Sequence, residues 1–150
     1  CDTYTADLSQ LYAVRLRLAN PDDSMVLGDV VSKEPLGPMV RQGDEQWFNI
    51  VRWTLFALVN AEELEVTAAG ADELKAKSKK PPVRRLLGAE GTFGADMGLD
   101  PEWALRAIKA TGNYAEIFNR NLGSETPLAI ERGINGLWNA GGLLYAPPVR

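Results

Sequence analysis

The residues of this chain best suited to chemistry are acids without a base to serve them. "DTYTADLSQL", Asp2 to Leu11, sets Asp7 where an extended stretch gives way to a helical pattern. Glu62-Glu63 and Asp22-Asp23 are further acid pairs, and no histidine occurs among the 150 residues. That removes Ser-His triads, Cys-His dyads and the commonest zinc ligand. The single cysteine, Cys1, cannot form an internal disulfide or a thiolate metal cluster. A catalytic carboxylate pair needs a fixed separation across a cleft, which neither acid pair's setting supplies, so both read as solvated surface. "GAEGTFGADMG", Gly88 to Gly98, lacks the spacing and the strand–helix context of a phosphate-binding loop and reads as an irregular surface loop. By spacing alone, Asp7 is a helix cap before it is a ligand.

These residues need elements to hold them. Thr3, Tyr4 and Thr5 favour extended structure. Asp7 or Ser9 then caps a helix over about Leu8–Ala19, stopped by Asn20-Pro21. Met25–Val31 and Leu36–Arg41 read as two short strands joined by Lys33-Glu34-Pro35, and Pro35 and Pro38 confine them to an edge or a crossing segment. Glu45–Glu63 carries the strongest helical pattern, with Trp47, Ile50, Val51, Thr54, Leu55 and Leu58 on one broad apolar face. Val66–Pro82 reads as a solvated loop holding one short helix, Ala71–Lys77, and Val83–Leu87 as a turn of helix. Further helices are expected over Pro101–Thr111, Asn113–Asn121 and Leu128–Asn139, before an extended tail, "GGLLYAPPVR". Of the four tryptophans, most are expected in the core and Trp53 partly exposed.

The formal net charge of −4 gives no electrostatic footprint for nucleic acid or an anionic membrane. The longest apolar stretch, Trp47 to Leu64, is too polar for a membrane span. The expected class is helix-rich α/β with strands confined to the first third. Three strands interrupted by prolines make a poor independent sheet.

Five stretches carry a resemblance: "DTYTAD", "VVSKEPLGPMVRQGDEQWFNIVRWTLFALVNAEE", "RLLGAEGTFGADMGLD", "WALRAIKATGNYAEIFNRNLG" and "PLAIERGINGLWNAGGLLYAPPVR". Together the sequence resembles the periplasmic solute-binding proteins of polar and general L-amino acid ABC transporters. The resemblance implies a type II-like fold of two α/β lobes holding ligand in the cleft between them, of which this chain is the C-terminal part. On that alignment residues 1–22 end the second lobe and residues 23–35 cross the hinge. Residues 36–150 complete the first lobe with an extended helical tail. The missing initiator methionine and the start in mid-pattern place any export signal upstream.

The family's acid for the ligand α-ammonium falls at the second Asp of a D-x-x-x-x-D pattern, here Asp2 and Asp7, so Asp7 is the implied ligand acid. An ammonium is a compact cation with three donors, and an ionised carboxylate partners it without proton transfer. Thr5, on the same side of a strand as Asp7, is the second implied site residue. The family's carboxylate-holding Ser/Thr and Arg have no counterpart here. The implied function is capture of L-amino acids in the periplasm for import, with no catalysis and no cofactor. The implied partners are an L-amino acid, a transporter permease, and the upstream half of the protein or a second copy. The alternative is a truncated structural or interaction module with no complete ligand site.

Overall fold

The computed structural model describes residues 2–32 and 35–150. Cys1 and the Lys33-Glu34 part of the expected strand connection lie outside the described residues. In chain order the helices are α1 (Leu8–Arg15), α2 (Glu45–Glu63), α3 (Ala71–Lys77), α4 (Pro81–Leu86), α5 (Phe93–Asp96), α6 (Trp103–Thr111) and α7 (Tyr114–Asn121). Short 3-10 turns occupy Pro21–Asp23, Gly133–Asn135 and Trp138–Ala140. Among the described residues there is no β-strand, only an isolated parallel bridge between Leu137 and Leu144. The chain divides into two compact units, one of residues 1–38 and 119–132, the other of 39–118 and 133–150.

The second unit holds the core. Asp44 starts α2 by accepting a hydrogen bond from the Trp47 amide at 2.9 Å, an N-cap arrangement. The C-terminal half of the helix buries Ala57, Leu58 and Ala61 against Trp103, Ala104, Leu105 and Ile108 of α6. Val83 and Leu86 of α4 and Leu87 join the same cluster. Burying a side chain the size of Ile108 contributes about 1.5–3 kcal/mol, so this helical layer is where the stability resides. The tail returns to it: Val149 is buried in the cluster, and Asn60, itself buried on α2, donates to the Pro147 carbonyl at 2.8 Å.

Between α2 and α3 the backbone is tied down where a solvated loop was expected. Val66 is fully buried and accepts from Asn113 Nδ2 at 3.0 Å. The Ala68 amide donates to Glu116 Oε2 at 3.0 Å. The glycine-rich stretch also departs from a plain surface loop, because it contains α5. Phe93 meets Trp53 edge-on, with ring centroids 4.5 Å apart, and lies beside Trp103. Gly94 permits this: a Cβ there would stand 2.7 Å from the Asp100 carbonyl oxygen and 2.8 Å from Trp103.

The expected Leu128–Asn139 helix does not form. Its apolar residues are helically spaced, but the chain folds back on itself at glycines. Leu143 donates to the Ile134 carbonyl at 2.7 Å, Trp138 to that of Leu144 at 2.9 Å, and Leu144 to that of Gly136 at 3.0 Å. A Cβ on Gly142 would lie 1.8 Å from the Gly136 oxygen, a closeness only glycine allows. Trp138 therefore sits half-exposed against Tyr145, centroids 5.9 Å apart. Trp47 is likewise half-exposed on the first turns of α2, so only Trp103 is buried outright, with Trp53 packed against the core.

In the first unit the expected helix to Ala19 ends early, at Arg15. The Arg15 Nε donates to the carbonyls of Pro21 at 3.1 Å and Ser24 at 3.0 Å, drawing the following chain over the helix end. The segments expected as strands, Thr3–Thr5, Met25–Val31 and Leu36–Arg41, have no ladder partner among the described residues.

Candidate functional site

Asp7 is the N-cap residue of α1, with extended dihedrals (φ −55°, ψ 144°). Its carbonyl accepts the first helical hydrogen bond, from the Leu11 amide at 2.9 Å, but its carboxylate makes no cap hydrogen bond. The side-chain capping expected from spacing is thus not made, which leaves the carboxylate oxygens free of the helix amides. Thr5 and Asp7 are both exposed in the segment that enters α1. Tyr4 is held aside, its hydroxyl accepting from Gln10 Nε2 at 3.2 Å. An exposed carboxylate whose oxygens make no cap hydrogen bond is open to a hydrogen-bonding cation.

Sequence reasoning passed over an open cleft in the second unit. It measures about 480 Å³ and is lined by Gln46, Asn49, Trp53, Phe93, Asp96, Met97 and Gly98. Two observations shape its polar side. Gln46 Nε2 donates to the Met97 carbonyl at 3.4 Å, and Asn49 Oδ1 accepts from Arg52 at 2.8 Å. Arg52 in turn lies over the Phe48 ring, 4.9 Å from its centroid, a cation–π arrangement. The signal for the cleft was present in the Trp53 and Phe93 side chains, but it depends on their packing across forty residues of sequence.

Among the described residues, no group of three or more metal-ligating side chains converges, and no helix is long and apolar enough to cross a membrane. No protein-family profile matches the chain. Individual proteins do. YhdW of Escherichia coli (strain K12) is 57% identical over 150 residues, covering all of this chain and 44% of its own length. The general L-amino acid-binding periplasmic protein AapJ of Rhizobium johnstonii is 56% identical over 152 residues, again all of this chain and 44% of AapJ. The glutamate/glutamine/aspartate/asparagine-binding protein BztA of Rhodobacter capsulatus is 50% identical over 150 residues, with the same 44% covered. The chain is homologous to periplasmic binding proteins of amino-acid ABC transporters.

A solved structure carries the same relationship to the backbone. An ABC transporter periplasmic binding protein from Brucella ovis with glutathione bound superposes with a TM-score of 0.93 at 56% identity. It covers all of this chain and 47% of its own. The helix-rich architecture is therefore that of part of a periplasmic binding-protein fold, and the chain spans less than half the length of the relatives it matches.

Proposed function

We propose that this chain is part of the amino acid-binding component of an ABC transporter, capturing L-amino acids in the periplasm and delivering them to a permease. The observation that carries the reading is identity of 50–57% along the whole chain to binding proteins of this kind. Within it, Asp7 takes the ligand α-ammonium, and Thr5 lines the same cleft wall. The free Asp7 carboxylate supports this role, because a cap bond would compete for the same oxygens. In this reading residues 1–22 end one lobe, 23–35 cross the hinge, and 36–150 belong to the other lobe. Binding by lobe closure needs no proton donor, which accords with a sequence free of histidine.

The test is a chimaera in which this chain replaces the matched 44% of AapJ. Titration calorimetry with a panel of L-amino acids should show one site per chimaera and saturable heat. Absence of binding in a folded chimaera, with AapJ itself binding in parallel, would sink the proposal. The covered share of the relatives favours one further reading, an interaction module without a complete ligand site. The same titration decides between them.

A further inference from the structure

Arg85, on α4, is a half-buried cation that no acceptor answers. Its Nε is shut off from solvent and has no hydrogen-bond partner among the described residues. None of the ion pairs among those residues includes it. The arginine beside it is the contrast: Arg84 Nε donates to Glu90 Oε1 at 2.5 Å, and Arg84 Nη1 to the Ser78 carbonyl at 3.5 Å. A guanidinium stays protonated in a folded protein, so Arg85 cannot shed its charge to suit its setting. A buried N–H of a charged group without an acceptor is costly, and such a group calls for an occupant. Arg85 lines a cavity of about 10 Å³, room for one atom-sized occupant. The charge around that cavity is lopsided. Arg150 lines it as well, and Glu90, the only acid in the lining, is the carboxylate that Arg84 already holds. Trp103 and Val149, both buried in the core cluster, also line it, so charges there are screened less than at an open surface.

We propose that this cavity is a binding site for one monatomic anion, chloride being the common case, with Arg85 Nε as its hydrogen-bond donor. A water would accept from Nε but leave the positive lining unbalanced, whereas a halide does both. A carboxylate or a phosphate brings several heavy atoms and exceeds a space of about 10 Å³. Bound there, the ion would bridge α4 to the tail whose Val149 enters the core. Every residue of the lining belongs to the second unit, so the site does not depend on the binding-protein reading or on Asp7.

The probes are sodium bromide and sodium chloride, applied to this chain. Crystals soaked in bromide should show an anomalous-scattering peak within hydrogen-bonding distance of Arg85 Nε. In solution the thermal midpoint should rise saturably with either halide, relative to sodium gluconate at equal ionic strength, because gluconate is too large for the cavity. Arg85→Lys keeps a positive charge but loses the Nε donor, and Arg85→Gln removes the charge as well. Each should raise the half-saturating halide concentration about tenfold or more. Lys80→Gln, at an exposed cation five residues earlier, should leave the halide response unchanged. Circular dichroism checks that the variants are folded, and the bromide peak, read on the parent, decides the matter even where a variant is not. Four results overturn the inference: an ordered water on Nε in the bromide crystals, an acidic side chain turned onto it, a midpoint that follows ionic strength alone, or a halide response that survives in folded Arg85→Lys and Arg85→Gln. A bromide peak without a saturable midpoint shift marks an adventitious ion only, and overturns it too.

Discussion

Asn113 and Glu116 cap each other. The Asn113 Oδ1 accepts from the Glu116 amide at 3.0 Å, while Glu116 Oε2 accepts from the Asn113 amide at 2.8 Å. This is a capping box at the start of α7, and the same two side chains reach Val66 and Ala68 beyond it. Four backbone groups thus depend on two residues. Glu116→Ala should lower stability by about 1–3 kcal/mol, the range for stranding donors that lose an ionised acceptor. Glu116→Gln, which keeps an acceptor oxygen, should cost distinctly less. Urea unfolding of both variants with Asn113→Ala, read as a double-mutant cycle, should show strong non-additivity.

Asp100 supplies a pH test. The Glu102 amide, bonded at 2.8 Å, and Arg106, bonded at 3.0 Å, hold its carboxyl below the ordinary value of 3.8. Because the folded group is the stronger acid, its contribution is present above pH 3.8 and is lost as pH falls below it. Asp100→Asn keeps an acceptor for the Glu102 amide and removes the charge. The urea midpoints of parent and variant should therefore converge on acidification through that window, and added salt should narrow the gap at neutral pH.

Gly141 and Gly142 are adjacent, yet their substitutions should differ in kind. Gly141 is left-handed (φ +84°) but faces open space, so Gly141→Ala should cost about 1–2 kcal/mol of backbone strain. It should also leave the Trp138–Tyr145 ring contact in place. Gly142→Ala drives a Cβ into the Gly136 backbone and should break the fold-back, releasing Trp138 from Tyr145. Ring-current shifts of the two aromatic side chains by NMR read the difference directly.

For Asp7, the chimaera with AapJ distinguishes charge from shape. A charge-assisted hydrogen bond to an ammonium is worth about 1.5–3 kcal/mol, and leaving a buried ammonium unpaired costs more. Asp7→Ala should weaken amino acid binding roughly ten- to a thousandfold. Asp7→Asn should be nearly as damaging, because it preserves size and removes charge. Near-parental affinity in Asp7→Asn by calorimetry would falsify the ammonium role.

Helices whose signals are local were legible in the sequence. The bounds of α2 and α3 coincide with expectation because Asp44 caps one, and Gly70 and Ser78 bracket the other. The starts of α6 and α7 fall within two residues of where they were expected. The Ile130–Trp138 segment misled for a physical reason: helical spacing is local, whereas the contact that replaces the helix, Gly136 against Gly142, is tertiary. The strand assignments failed differently. Thr3–Thr5 and Met25–Val31 have β-favouring residues, but a ladder takes two segments, and composition reports only one of them. Asp7 emerged from resemblance, since spacing alone pointed to a cap whose side-chain bond does not form, and Thr5 followed only from strand alternation beside it.

The Asn60–Pro147 hydrogen bond also bears on the order of folding. It joins residues 87 apart in sequence, so its closure entropy falls due before the contact rewards it. During synthesis α2 and α6 emerge well ahead of the tail and can pack at once. The seat of Val149 then stays uncovered until the last residues of this sequence leave the ribosome. For that interval the nascent second unit shows an apolar notch beside a buried, half-bonded amide, the kind of surface that holding chaperones bind. Slow docking of the tail would make this notch, more than any helix, the site where the unfinished chain is vulnerable to aggregation.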